Sequence, residues 1–177
     1  MDFKELVSIR QSCRSFDKNV KIDESVLVEC AKTAMLSPSA CNAQPYIVKL
    51  VNDEELLKKA VGCIQDAGMN RFADNASAMY VIFGNKGKLI STVTGKLIDS
   101  DFTQIDIGIF TAHLTLALAE KGIGSCIIGW INKDKLSKLL GIDKPVYLCV
   151  LVGAATEGYE IRDKKRKDVF SVAEKKV

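Results

Sequence analysis

Apolar residues recur along this chain with two periods. At helical spacing, Phe3, Leu6 and Val7 run into Ile9-Arg10 and predict a short opening helix. Asp23 stands as an N-cap before Val26, Leu27, Cys30 and Ala34, which predict a second. Asn52-Asp53 caps a third, with Leu56, Leu57, Ala60, Val61 and Ile64 turned inward. The longest helix is expected over Phe102–Lys121, stopped by Gly122, a residue suited to the position after a helix end. Asn132 caps a last helix through Leu140, stopped by Gly141. Strands are expected where β-branched and aromatic residues cluster: Tyr46–Val51, Met79–Phe83 closed by Gly84, Cys126–Trp130, and Val146–Val152. The last reads VYLCVLV, a continuous apolar run that leaves no polar face for water and predicts a strand buried on both sides. Ser37–Pro45 is a loop, with two prolines, two serines and an asparagine in nine residues. Lys86–Ser100 fits neither period and is assigned no element. Four strands and about five helices predict an α+β or α/β sandwich with helices on both sheet faces.

Composition narrows this picture. The 177 residues suit one domain over 1–177, at roughly 100–200 residues per domain. A hydrophobic share of 47% excludes a disordered chain. The most apolar stretch, Ile105–Ala119, is broken by Asp106 and His113 and falls short of the roughly 20 residues of a membrane span. It is expected to be a buried core helix, with Asp106 and His113 on one face in structural polar contacts. Six cysteines include no CxxC pair, and there is one histidine, so no metal site is expected. Reduced, mostly buried thiols suit a cytoplasmic protein, and Met1-Asp2-Phe3-Lys4 opens an amphipathic pattern rather than a leader. The net charge of +3 is unevenly placed. Residues 1–161 hold 18 basic and 19 acidic side chains, whereas 162–177 hold 7 and 3.

Several common chemistries are absent. Gly122-Ile-Gly124 follows a helix rather than a strand and lacks the third glycine of a dinucleotide fingerprint. Gly95-Lys96 lacks the other residues of a phosphate loop, and no GxSxG elbow exists. Four segments remain. Arg10-Gln11-Ser12-Cys13-Arg14 ends the first helix with two guanidinium groups and a hydroxyl, donors that match phosphate oxygens. Pro38–Pro45 presents small polar groups that suit a planar ligand. Gly122–Trp130 (GIGSCIIGW) places Gly129 at a strand end, where a ligand can meet backbone. Lys164-Lys165-Arg166-Lys167 is a basic run suited to a phosphate clamp or to plain solvation. Singly, each has a bland alternative: a solvated helix end, an ordinary connection, a tight turn, a charged tail.

Together and in order, RQSCRSF (10–16), SPSACNAQPY (37–46), DIGIFTAHLTLALAEKGIGSCIIGW (106–130) and KKRK (164–167) resemble the FMN-dependent nitroreductase family, in its short single-domain branch. The resemblance covers nearly the whole chain. It implies a three-layer sandwich, a mixed central sheet with helices on both faces, and a homodimer exchanging C-terminal segments around two shared FMN sites. It assigns Arg10, Ser12 and Arg14 to the phosphate and ribityl chain. Lys164 and Arg166 become C-terminal phosphate contacts, with 162–177 extending onto the partner. Ser39, Ala40 and Asn42 would reach the flavin, typically of the partner subunit. Ile128 and Gly129 would meet it near N5, and Asn70 would lie near its pyrimidine edge. No side chain is assigned a catalytic role, because the cofactor carries the hydride. The expected activity is ping-pong transfer from NADH or NADPH to nitroaromatic, quinone or related electrophilic acceptors. The alternatives are a more specific flavin dehydrogenase or dehalogenase on the same scaffold, or a non-catalytic flavin-binding redox sensor. Asn70, Arg71 and Arg14 are all candidates to stabilise charge at reduced flavin N1 and C2=O.

Overall fold

The computed structural model describes residues 1–85 and 101–171, so the stretch 86–100, read above without an element, lies outside the described residues. The elements are α1 (Phe3–Ile9), α2 (Glu24–Ala34), β1 (Tyr46–Val51), α3 (Glu54–Val61), β2 (Ala78–Gly84), α4 (Phe102–Glu120), β3 (Gly124–Ile128), α5 (Lys133–Leu140) and β4 (Val146–Gly153). Side-chain oxygens cap all five helices. Asp2 and Glu5 form a reciprocal capping box on α1. Asp23, Asp53, Asp101 and Asn132 each accept a backbone N–H of the first turn of their helices. Gly141 ends α5 at φ 64°, a left-handed conformation that glycine adopts without a Cβ clash.

The strands form one sheet in the order β1-β2-β4-β3. Among the described residues each strand pair is antiparallel, and the parallel component of the expected mixed sheet is an isolated bridge, Ser12 to Ser125. The connections explain it. Val51 ends β1 opposite Met79, so α3 and the turns after it return the chain to the end it left. α5 does the same between β3 and β4, which pair Ile128 with Cys149.

Alternation along β2 and β4 feeds two cores, as the three-layer reading requires. Met79, Val81, Phe83, Cys149 and Leu151 pack with Leu57, Ala60 and Val61 of α3 and Leu136 of α5. Ala78, Tyr80, Ile82, Val150 and Val152 pack with Leu27 and Cys30 of α2 and Phe110, Leu114 and Leu118 of α4. β2 is buried along its whole length. Tyr80 donates from its buried hydroxyl to Leu27 O at 2.7 Å, tying α2 to the sheet, and burial pushes its phenol ionisation far up. α4 is long and apolar enough to cross a membrane by length and composition, with mean hydropathy 1.3, but its Ile107, Phe110, Leu114, Ala117 and Leu118 are used in this core.

Two elements differ from expectation by more than one residue. α3 stops at Val61, and Ile64 is buried from the turn that follows. β3 starts and ends two residues early, at Gly124 and Ile128. At its start, Gly124 pairs with Gly153. Beyond its end, Trp130 leaves the sheet and donates from Nε1 to Asp66 O at 3.0 Å.

Candidate functional site

The segment after α1 lies against the β3–β4 end of the sheet. Cys13 N–H donates to Ser125 O at 2.8 Å, and Asp17 N–H to Ala154 O at 2.9 Å. Close approach requires two glycines: a Cβ on Gly124 would stand 3.0 Å from Cys13 Sγ, and one on Gly153 would stand 2.9 Å from the Phe16 ring.

The C-terminal segment then folds onto the same strip. Tyr159 Oη donates to Ser12 O and accepts from Arg14 N–H, both at 3.2 Å. Gln11 Nε2 donates to Glu160 O at 2.9 Å. Arg162 donates from Nη2 to Ser12 O at 2.7 Å and from Nε to Gln11 Oε1 at 3.0 Å. Lys164 donates from Nζ to Arg10 O. Arg10, Arg162, Lys164 and Arg166 therefore converge. Desolvation pushes the Lys164 ammonium below its ordinary value, and the charges of Arg10, Arg166 and Arg162 push it further. Among the described residues the ion pairs are Lys21–Glu54 and Lys121–Glu29, so no carboxylate pairs with this cluster. Converging cations with no carboxylate partner among the described residues can hold an anion. A cavity of about 130 Å³ adjoins it, lined in part by Arg10, Gln11, Ser125 and Tyr159.

Cys126 lies beneath the cluster. Burial pushes its thiol up, against the opposing pull of Arg14 and of a hydrogen bond with Ser12. Cys13 is likewise pushed up by burial. Burial of this kind disfavours the thiolate that nucleophilic chemistry needs.

Ser12 pairs with Ser125, so Gly129 lies four residues along from the cluster, roughly 13 Å at strand rise. Ile128 is buried, whereas Gly129 is exposed, and a Cβ there would meet nothing within 4 Å. Asn70 sits in a left-handed conformation at φ 52° and donates from Nδ2 to Ile64 O at 2.8 Å, so its amide shapes its own turn. Trp130 is tied to the Asp66 carbonyl and is 53% exposed.

The Ser39–Asn42 loop lies elsewhere. It is anchored by Ala40 N–H, which donates to Asp106 Oδ1 of α4 at 3.0 Å. None of the hydrogen bonds described above joins Ser39, Ala40 or Asn42 to the cationic strip or to the end of β3. Asp106 and His113, seven apart on α4, share a helix face but not an environment: Asp106 is buried against the loop, while His113 is exposed and its Nδ1 meets Ile109 O of its own helix at 2.9 Å.

The structure adds Gln11, Tyr159 and Arg162 to the cluster. Arg162 was detectable, since 162, 164 and 166 alternate in the basic run. Tyr159 carried no such signal, because its role depends on the tail folding back by 147 residues onto Ser12.

Comparison with known proteins agrees with this architecture. A family model described as "Nitroreductase family" matches residues 7–154. An oxygen-insensitive NADPH nitroreductase of Helicobacter pylori (strain ATCC 700392 / 26695) is 38% identical over 93% of this chain and 91% of its own. A CLA biosynthesis enone reductase of Lactiplantibacillus plantarum is 25% identical over 85% and 82%. A protein of Exiguobacterium sibiricum solved in complex with FMN superposes with TM-score 0.80 at 22% identity, covering 98% of both chains. With its sheet, its helical layers and residues 7–154 all matched, the chain belongs to the nitroreductase family.

Proposed function

We propose that this protein is an FMN-dependent NAD(P)H oxidoreductase that works as a homodimer. It passes reducing equivalents in a ping-pong cycle to nitroaromatic, quinone or related electrophilic acceptors. The observation that carries the reading is the cationic strip, which has no carboxylate partner among the described residues and lies beside β3 on a nitroreductase fold. Its donor set fits a phosphate monoester. Arg10, Arg14, Lys164 and Arg166 supply charge, and Ser12 lies among them beside β3. Ile128 and Gly129 present an unobstructed strand end. When bound, FMN supplies the two-electron chemistry that no side chain here can. Ser39, Ala40 and Asn42 stand apart from the strip, so a second copy is the natural source of those contacts. That geometry supports the dimer; Arg162 and Lys164 bond within this chain, so the extension of the tail onto a partner would begin beyond them. Six unbridged cysteines, five of them buried, support a cytoplasmic protein.

The test is reconstitution with FMN followed by anaerobic titration with NADH and with NADPH. Stoichiometric flavin that bleaches, with parallel initial-rate lines against an acceptor, is expected. A chain that takes up no flavin refutes the reading. Intersecting lines refute the ping-pong order, and bound flavin that neither nicotinamide reduces favours a sensor.

A further inference from the structure

The loop over residues 39–44 is held in a conformation its residues do not favour. Cys41, Asn42 and Gln44 have φ of 53°, 49° and 46°, and none is glycine. Such residues persist only where their surroundings over-determine them. Part of the support is internal. Ser39 Oγ accepts from Gln44 N–H at 3.1 Å, and Asn42 Oδ1 accepts from Gln44 Nε2 at 2.7 Å. These bonds keep the loop's shape without fixing its position on the fold. The position comes from α4, through Asp106.

Asp106 is 2% exposed, a rare setting for a carboxylate. Its Oδ1 accepts from Ala40 N–H, and its Oδ2 is buried without a hydrogen-bond partner. Among the described residues two further buried side-chain oxygens share that condition, Ser37 Oγ and Tyr46 Oη. Ser37 precedes the loop and Tyr46 follows it. The Tyr46 ring rests 4.7 Å from that of Phe110, one helical turn after Asp106. All three unpaired oxygens thus flank one short loop. An apolar residue at position 106 would avoid the cost of burying this group. The carboxylate therefore serves the loop rather than the core.

We propose that Asp106 is a positioning residue, whose buried carboxylate holds the Ser39–Gln44 loop on α4 in the strained shape it presents to the flavin. This rests on the function proposed above, since the loop's approach to a flavin belongs to that reading. The anchoring itself does not.

The test compares Asp106→Ala with Asp106→Asn, which keeps an acceptor oxygen for Ala40. Two readouts are taken on the full chain. The first is hydrogen exchange of the 40–44 amides without flavin; the second is FMN affinity by fluorescence quenching, with melting temperature followed alongside. Asp106→Ala is expected to speed loop exchange about tenfold or more, the scale of one buried hydrogen bond, and to weaken FMN by a similar factor. Asp106→Asn should stay within about threefold of wild type in both, by keeping that bond. If the alanine variant does not fold, Asp106→Ser replaces it, because its hydroxyl is too short for Ala40 but can bond within its own helix. Unchanged loop exchange in the alanine or serine variant overturns the proposal. So does faster exchange with unchanged FMN affinity, which would separate the loop from the flavin. A wild-type chain that binds no flavin overturns the functional reading instead, and the exchange arm still decides whether Asp106 anchors the loop.

Discussion

Lys164→Met tests the cationic strip most directly, because it removes charge while keeping an apolar stem of similar length. In the free chain the Lys164 ammonium is disfavoured, first by desolvation and then by Arg10, Arg166 and Arg162. Its folded value is depressed, so its cost to the fold is present at neutral pH and is relieved as pH rises toward the ordinary lysine range. Removing it should leave the apo melting temperature unchanged or slightly raised, most visibly at low salt. Binding responds in the opposite direction. A charge-assisted hydrogen bond to a phosphate is worth about 1.5–3 kcal/mol, so FMN affinity should fall about 10- to 150-fold. The lower end is expected here, since Lys164 is only partly buried and also bonds Arg10 O. The assay is a fluorescence titration with FMN and, in parallel, with riboflavin, at low salt and at about 0.5 M KCl, where screening shortens to a few ångströms. Wild type should prefer FMN, and Lys164→Met should lose most of that preference while binding riboflavin as before. A variant with an unchanged FMN-to-riboflavin ratio would show that the strip does not read phosphate. A variant that loses apo stability would show that Lys164 is structural.

Other outcomes follow from the same geometry. Gly129→Val should leave the melting temperature of the free chain nearly unchanged, because a Cβ there meets nothing within 4 Å, yet it should abolish stoichiometric flavin; retained flavin would move the site away from β3. Truncation after Gly158 removes Tyr159, Arg162 and Lys164, and should lose both FMN and the dimer in light scattering; a flavin-loaded truncation would make the tail a solvated appendage. Thiol titration of the native chain at neutral pH should label exposed Cys41 first, with Cys13, Cys30, Cys63, Cys126 and Cys149 slow because burial pushes each upward; fast labelling of Cys126 would revive a redox role for it.

Periodicity located the α-helices and strands of the described residues, though not the short 3-10 turns at 40–42, 66–68 and 71–75, because each of its signals is local. An N-cap such as Asp23 acts two residues away, and the VYLCVLV run declares burial on both faces without reference to a partner strand. Strand direction was different. Whether β1 and β2 run parallel depends on where α3 delivers the chain, and no residue within either strand records it. The displaced start of β3 has a similar cause, since the pairing of Gly124 with Gly153 is long-range.

The candidate site divides along the same line. Sequence alone determined the donor chemistry: guanidinium and ammonium groups in two short runs, small residues in a loop, a glycine at a strand end. Tertiary structure decided which of these meet. It brought Arg162, Lys164 and Tyr159 back onto Arg10, Gln11, Ser12 and Arg14, with no carboxylate paired to them among the described residues. It kept the Ser39–Asn42 loop apart and set it on a buried Asp106. The physical reason is that charge and hydrogen-bonding capacity belong to a residue, whereas desolvation and unpaired charge belong to an arrangement and arise only when distant segments are packed together.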